Sequence, residues 1–203
     1  DGVTYVGLIP FWMRDIGVLG SPAVTHLGSF CETNVRLYSV DRHGRRGVVF
    51  VTLDASRLVP VLVARAVGLP YVWSRMRYRR RGEHVMYTCR RLRWPAPPPR
   101  PDGTPAPRVV RSQLHVRVGA PITSGPLEDF LTARWGLHAA GPLGQTRFWP
   151  NEHGRWPLHR AHVDHLDDGL LAAAGFGDLA ARRPDSVLFS PGVDVRFGPR
   201  LPA

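Results

Sequence analysis

The segment Glu32-Thr33-Asn34-Val35-Arg36-Leu37-Tyr38-Ser39-Val40 alternates long polar residues with small or apolar ones without a break. Successive side chains of an extended strand point to opposite faces, so a strand gives this pattern one consistent polar side, whereas a helix scatters it. Glu32, Asn34, Arg36 and Tyr38 then share a face, with Thr33, Val35, Leu37 and Ser39 on the other. Three environments are compatible with such a face. Inside a closed barrel it is a ligand site, with Arg36 holding a carboxylate, Asn34 orienting it and Glu32 acting as acid or base. Buried without a ligand, Glu32 and Arg36 form a structural ion pair. Facing water, the segment is an ordinary amphipathic strand.

The rest of the chain is read around this strand. Its 203 residues suit one domain with a real core, and 21 Gly and 20 Pro break the apolar residues into short runs, as in a turn-rich protein. Thr4 to Met13 reads as a strand followed by a loop over Arg14 to Ala23. Gly47 to Leu53 reads as a buried strand. Asp54 stands where a helix N-cap belongs, ahead of an apolar segment from Ala55 to Val67 that Pro60 should kink and Gly68 should end. Tyr71 to Arg81 and His84 to Trp94 flank Gly82-Glu83 as a hairpin, and Pro95 to Pro107 is a stiff loop. Strands are expected over Arg108 to Val118, Trp135 to Ala139, Gln145 to Trp149 and Trp156 to His165. A last strand, Val187 to Phe197, is interrupted by Ser190-Pro191-Gly192. Helices are expected from Ser124 to Arg134 and from Asp167 to Ala174. About eight to ten strands and three short helices, joined mostly by connections too short for a helical crossover, give an α+β fold on a large, curved antiparallel sheet.

Twenty-seven basic residues oppose 16 acidic ones, and every basic residue is Arg. The absence of Lys excludes a lysine Schiff base, a P-loop lysine and a lysine general base. The arginines concentrate between Arg75 and Arg100. If Gly82-Glu83 is a two-residue turn, Arg75 lies directly opposite Arg90, an unfavourable apposition that an anion relieves. With Tyr78, Tyr87 and Trp94 interleaved, Arg75, Arg77, Arg79 and Arg90 form an alternative, nucleic-acid-binding reading of the chain. Cys31 and Cys89 are the only cysteines, which argues against a disulfide framework. No apolar run spans a bilayer and no secretory leader opens the chain, so a cytoplasmic protein without a membrane partner is expected. The chain begins without Met, inside a strand, as a fragment trimmed at its N-terminus would.

His159, His162 and His165, with Asp164, Asp167 and Asp168, suggest a metal site. On a strand, however, steps of three alternate faces, so His162 should point away from the other two. No metal or organic cofactor is expected, and no nucleophile elbow or nucleotide-binding fingerprint occurs.

Several segments in order resemble the YqjF-like family of uncharacterised proteins, a distant branch of the acetoacetate decarboxylase-like superfamily. They are Tyr5 to Phe11, Glu32 to Tyr38, Gly47 to Leu58, Leu69-Pro70-Tyr71, Phe130 to Trp135, Trp156-Pro157-Leu158 and Ser190 to Val195. The resemblance implies one domain over residues 1–203, an antiparallel β-barrel or cone around a cavity with helices outside, preceded in the family by a short further segment. In the decarboxylases the Schiff-base lysine follows a turn that Gly68-Leu69-Pro70 is similar to, which puts Tyr71 in the lysine's place, while Glu32 resembles a pocket glutamate. The resemblance therefore implies a pocket for a small acidic or carbonyl metabolite, lined by Glu32, Asn34, Arg36, Tyr38 and Tyr71, without imine chemistry.

Overall fold

The computed structural model describes residues 4–14, 29–97, 103–105, 107–141, 145–199 and 201–202. The chain enters as two antiparallel strands, β1 (Gly7–Met13) and β2 (Phe30–Val40), and β2 turns through Asp41 to Arg45 into β3 (Arg46–Ala55). Asp41 makes this turn: its Oδ1 accepts the backbone N–H of His43 and of Arg45, each at 2.9 Å, and Gly44 takes the left-handed φ of +74° that a side chain disfavours.

Helix α1 (Leu58–Ala66) follows, then β4 (Tyr71–Arg81). The expected cap at Asp54 is not what forms. Asp54 is the penultimate residue of β3, Arg57 stands at the cap position without a side-chain cap bond, and Pro60 falls in the first turn. A first-turn N–H has no helical acceptor, so Pro60 removes no bond there and needs no kink. The strand runs on because Leu53, Asp54 and Ala55 pair with Tyr71, Val72 and Trp73.

That pairing is parallel, as is Val48 with Leu137, within a sheet whose other pairings are antiparallel as expected. The segment Ser56 to Pro70, with α1 inside it, is long enough for the crossover of roughly a dozen residues that parallel strands need. The hairpin of β4 with β5 (His84–Arg91) forms with Arg81 opposite His84, so Gly82-Glu83 is the turn expected. Next come β6 (Arg111–Ile122), helix α2 (Pro126–Thr132), β7 (Gly136–Ala140), β8 (Thr146–Glu152) and β9 (Leu158–Asp168). Helix α3 (Leu170–Ala173) is shorter than expected because β9 extends to Asp168, whose Oδ2 accepts the Leu171 N–H at 2.9 Å. A 3₁₀ turn, Gly177–Ala181, and the two-residue strands β10 (Leu188–Phe189), β11 (Arg196–Phe197) and β12 (Leu201–Pro202) complete the described chain.

All twelve strands belong to one mixed sheet in the order β10-β9-β6-β5-β4-β3-β7-β8-β11, with β2 and β1 on the other edge of β3 and β12 beside β8. The sheet is not closed: no pairing among the described residues joins its β10 and β11 ends. Of the expected barrel or cone, the described residues show a large open sheet that forks at β3, whose second edge is shared by β4 and β7. Of the expected loops, most of Arg14 to Ala23 and part of Pro95 to Pro107 lie outside the described residues. Among those described, no helix is long and apolar enough to cross a membrane.

Two cores follow from the two faces. On the concave side Val35, Cys89 and Val110 pack with Leu170, Leu171, Ala173 and Ala174 of the α3 region. On the convex side Phe30 and Ala55 pack against Val61 of α1, with Tyr71 and Trp73 beside them.

Candidate functional site

Strand register assigns each polar residue to a face. Glu32 opposes Ala55, Asn34 opposes Leu53, and Leu53 and Ala55 in turn oppose Tyr71 and Trp73, so Glu32, Asn34 and Tyr71 share the convex face that α1 covers. Tyr71 Oη donates to Glu32 Oε2 at 2.8 Å, and the Asn34 side chain also hydrogen-bonds the carboxylate. Glu32 is 2 % exposed. Burial pushes its pKa up to about 7, against the two hydrogen bonds that favour the charged form and with the nearby negative charge of Asp54 adding to the rise. Burial and the neighbouring carboxylate likewise raise the Tyr71 phenol well above its ordinary range.

Arg36 and Tyr38 leave this cluster. The Arg36 guanidinium donates from Nη2 to the carbonyl of Leu131 in α2 at 3.1 Å and lies 5.4 Å from the Tyr38 ring centroid. Tyr38 packs on Phe130, with ring centroids 5.3 Å apart. The polar face of β2 is therefore split between two helices: Glu32 and Asn34 lie toward α1, Arg36 and Tyr38 toward α2.

The opposite, concave face holds the ion pair. Thr33 opposes Asp54, Asp54 opposes Val72, and Ser74 opposes Arg91. Asp54 is fully buried and receives Arg91 Nε at 2.9 Å, Arg91 Nη2 at 2.8 Å and the Ser74 hydroxyl at 2.7 Å. This bidentate pair satisfies a carboxylate that burial alone would neutralise. Neither residue stood out in the sequence: Asp54 read as a helix cap and Arg91 as one arginine among many. The signal that was available is the acidic residue inside an otherwise apolar β3.

A third polar cluster pins the β2–β3 turn. Ser39 Oγ lies 2.7 Å from His138 Nδ1, His138 Nε2 lies 3.4 Å from Asp41 Oδ2, and Arg45 Nε donates to the same oxygen at 2.6 Å. Hydroxyl, imidazole and carboxylate stand in the order of a hydrolase relay, but the backbone of β3 lies against the ring. A Cβ added at Gly47 would sit 2.7 Å from His138 Nδ1. The cluster is a clamp.

The histidines of β9 depart from simple alternation. His165 opposes His115 and Val163 opposes Val116, so Asp164 is bulged out and His162 and His165 come to the same face. His159 lies against Phe189, its ring 6.1 Å from the phenyl. Among the described residues no three His, Cys, Asp or Glu side chains converge as metal ligands.

Two spaces remain. Between β1–β2 and β5–β6, lined by Leu8, Thr33, Tyr87, Cys89 and Ser112, is a void of about 10 Å³, room for roughly one water. Above it a groove of about 320 Å³ opens to solvent. Trp12, Phe30, Cys31, Met76 and Tyr78 wall it, and Arg57, Arg77 and Arg79 line it as cations. Tyr78 and Tyr87 are cross-strand neighbours with rings 5.1 Å apart, and Cys31 and Thr33 share a strand face, so the groove is the mouth of the filled interior.

A family model, DUF2071, described as an uncharacterized conserved protein, matches residues 1–194. The chain is 29% identical over 92 residues to the uncharacterized protein YqjF of Bacillus subtilis (strain 168), a match covering 45% of this chain and 38% of that protein. Two solved structures of the enduracididine biosynthesis enzyme MppR are also similar. The one with HEPES buffer bound superposes with a TM-score of 0.43 at 15% identity, covering 83% of this chain and 59% of that one. The one complexed with pyruvate superposes with a TM-score of 0.43 at 13% identity, covering 84% and 62%. The chain thus spans less than two thirds of the length of each of these relatives.

Proposed function

From a chain that belongs to the DUF2071 family, whose description states no activity, we propose a binding protein for a small anionic metabolite, held in the groove at the mouth of the concave face. The observation that carries this reading is the groove itself. Its volume of about 320 Å³ falls at the lower end of small-molecule sites, and it combines apolar and aromatic walls with three arginines. Trp12, Phe30 and Tyr78 supply the apolar surface; Arg57, Arg77 and Arg79 supply charge and paired N–H donors suited to a carboxylate or phosphate.

In this reading the anchor is not Arg36, which is engaged with α2, but the arginines of the groove. Glu32 and Tyr71 are not among the residues that line the groove, so in this reading the ligand is bound and not protonated by Glu32. Imine chemistry has no nucleophile, since the chain contains no Lys and Tyr71 donates to Glu32.

Calorimetry against a panel of small carboxylates and phosphates tests the proposal. At least one anion should bind, neutral analogues should not, and Arg57→Ala or Arg79→Ala should each weaken binding about tenfold or more, the worth of one charge-assisted hydrogen bond. Affinity unchanged in both variants overturns the assignment of the groove.

A further inference from the structure

The convex side of β4, β5, β6 and β9 beyond α1 carries a second positive surface, built by register. Arg75 opposes Arg90 and Arg90 opposes Arg111, so three guanidiniums stand side by side across three adjacent strands. Two residues further along each strand the row is Arg77, Thr88, Gln113 and Asp167; at the hairpin end it is Arg81, His84, Arg117 and His162. Arg75, Arg77, Arg79, Arg81, Arg90, Arg111 and Arg117 are all exposed. The acids among them are at the β9 edge, where Asp167 lies 3.7 Å from Arg111 and Asp164 lies 3.2 Å from Arg117.

Like charges directly opposed across a strand pair weaken a sheet, by some tenths of a kcal/mol for each pair. Asp167 offsets Arg111 in part, and the rest of the three-arginine row opposes folding unless further counter-charge lies over it. The face also lacks what other partners need. Tyr78 and Tyr87 pair on the concave side, and the exposed Trp94, edge-on against Trp73, stands at one end of the rows and not between the arginines; none of the exposed large hydrophobic side chains among the described residues stands in the rows themselves. A single strand gains much of its affinity by stacking, and a bilayer by apolar insertion. A double helix presents its phosphates outward and needs only cations arrayed opposite them.

We propose that this convex four-stranded face binds the phosphate backbone of a double-helical nucleic acid without reading its sequence, using Arg75, Arg90, Arg111 and Arg117. Arg77 and Arg79 of the same strand face line the anion groove, but Arg75, Arg90, Arg111 and Arg117 do not, so variants at these four test the duplex proposal apart from the groove.

The experiment is fluorescence anisotropy of the protein on a labelled random-sequence duplex of about 20 base pairs, at salt concentrations from about 50 to about 200 mM. Wild-type affinity should fall steeply with salt. The triple variant Arg75→Thr/Arg90→Thr/Arg111→Thr should flatten the log–log salt slope by about 2.7, three phosphates at roughly 0.9 each. Its thermal midpoint should equal or exceed that of wild type, which separates lost binding from lost folding. Arg57→Ala should leave duplex binding unchanged. Absence of binding at the lowest salt, an unaltered slope in the triple variant, or equal competition by polyglutamate at matched charge overturns the proposal.

Discussion

Glu32 and Asp54 are two buried carboxylates on paired strands, one register step apart and on opposite faces of the same sheet. Asp54 receives a bidentate guanidinium and a hydroxyl; Glu32 receives a phenol and an amide but no cation. The difference lies in the neighbours that the sheet brings. On the concave side β5 delivers Arg91 across from Ser74, and the charge of Asp54 is compensated where it is buried. On the convex side α1 closes over Glu32 with Val61, Phe30 and Ala55, and burial lifts its pKa to about 7. Burial is offset by an ion pair where a cation is delivered, and raises the pKa of the carboxyl where it is not.

The sharpest way to break this contrast is to remove the cation. Arg91→Ala leaves Asp54 buried and unpaired and should cost about 3 to 5 kcal/mol, read by urea unfolding at neutral pH. Asp54→Asn in the same background should return part of that loss. No recovery means that packing, not charge, dominates the site.

Glu32 should behave in the opposite sense. Its folded pKa, about 7, lies above the ordinary 4.5, so the folded state holds a proton that the unfolded chain releases. Between these values stability falls as pH rises, and the cost is complete above the folded pKa. Glu32→Gln should therefore be more stable than wild type at pH 8, by on the order of 3 kcal/mol, with the gain vanishing below about pH 4.5. Equal stability of the two proteins across this range contradicts the uncompensated carboxylate.

Tyr71→Phe sharpens the same point. It removes the phenol that stabilises the charged carboxylate, so it should lose roughly 1.5 to 3 kcal/mol at pH 8 and markedly less at pH 5, where Glu32 is protonated. The smallest effect belongs to Ser74→Ala. One neutral donor to Asp54 is lost while the guanidinium remains, and about 1 kcal/mol should be missing from the unfolding free energy.

These residues also show how far a chain can be read. The turn and register of the β4–β5 hairpin were legible to the residue, because Gly82-Glu83 between two long strands leaves one register, and that register sets Arg75 against Arg90; β5 ends at Arg91, short of the expected Trp94. The alternation of β2 correctly separated Glu32 and Asn34 from Thr33 and Val35. Asp54 was misread because a carboxylate before an apolar segment has the same local appearance whether it caps a helix or ends a strand. Its partner Arg91 is 37 residues away. The β9 histidines were misplaced for a related reason: a bulge at Asp164 shifts the alternation by one, and nothing in the segment's own composition marks it.

By itself, then, the sequence determined the strand faces, the hairpin, a composition without Lys and the family to which the chain belongs. These follow from periodicity of two, from turn chemistry and from composition, which are local. The tertiary structure alone decided that the sheet stays open, that Asp54 rather than Glu32 holds the arginine, and that Arg36 turns to α2 instead of a pocket. Those outcomes depend on which distant strand or helix is brought against each face, and a free energy of that kind is a property of the whole packing, with no trace in a residue's immediate neighbours along the chain.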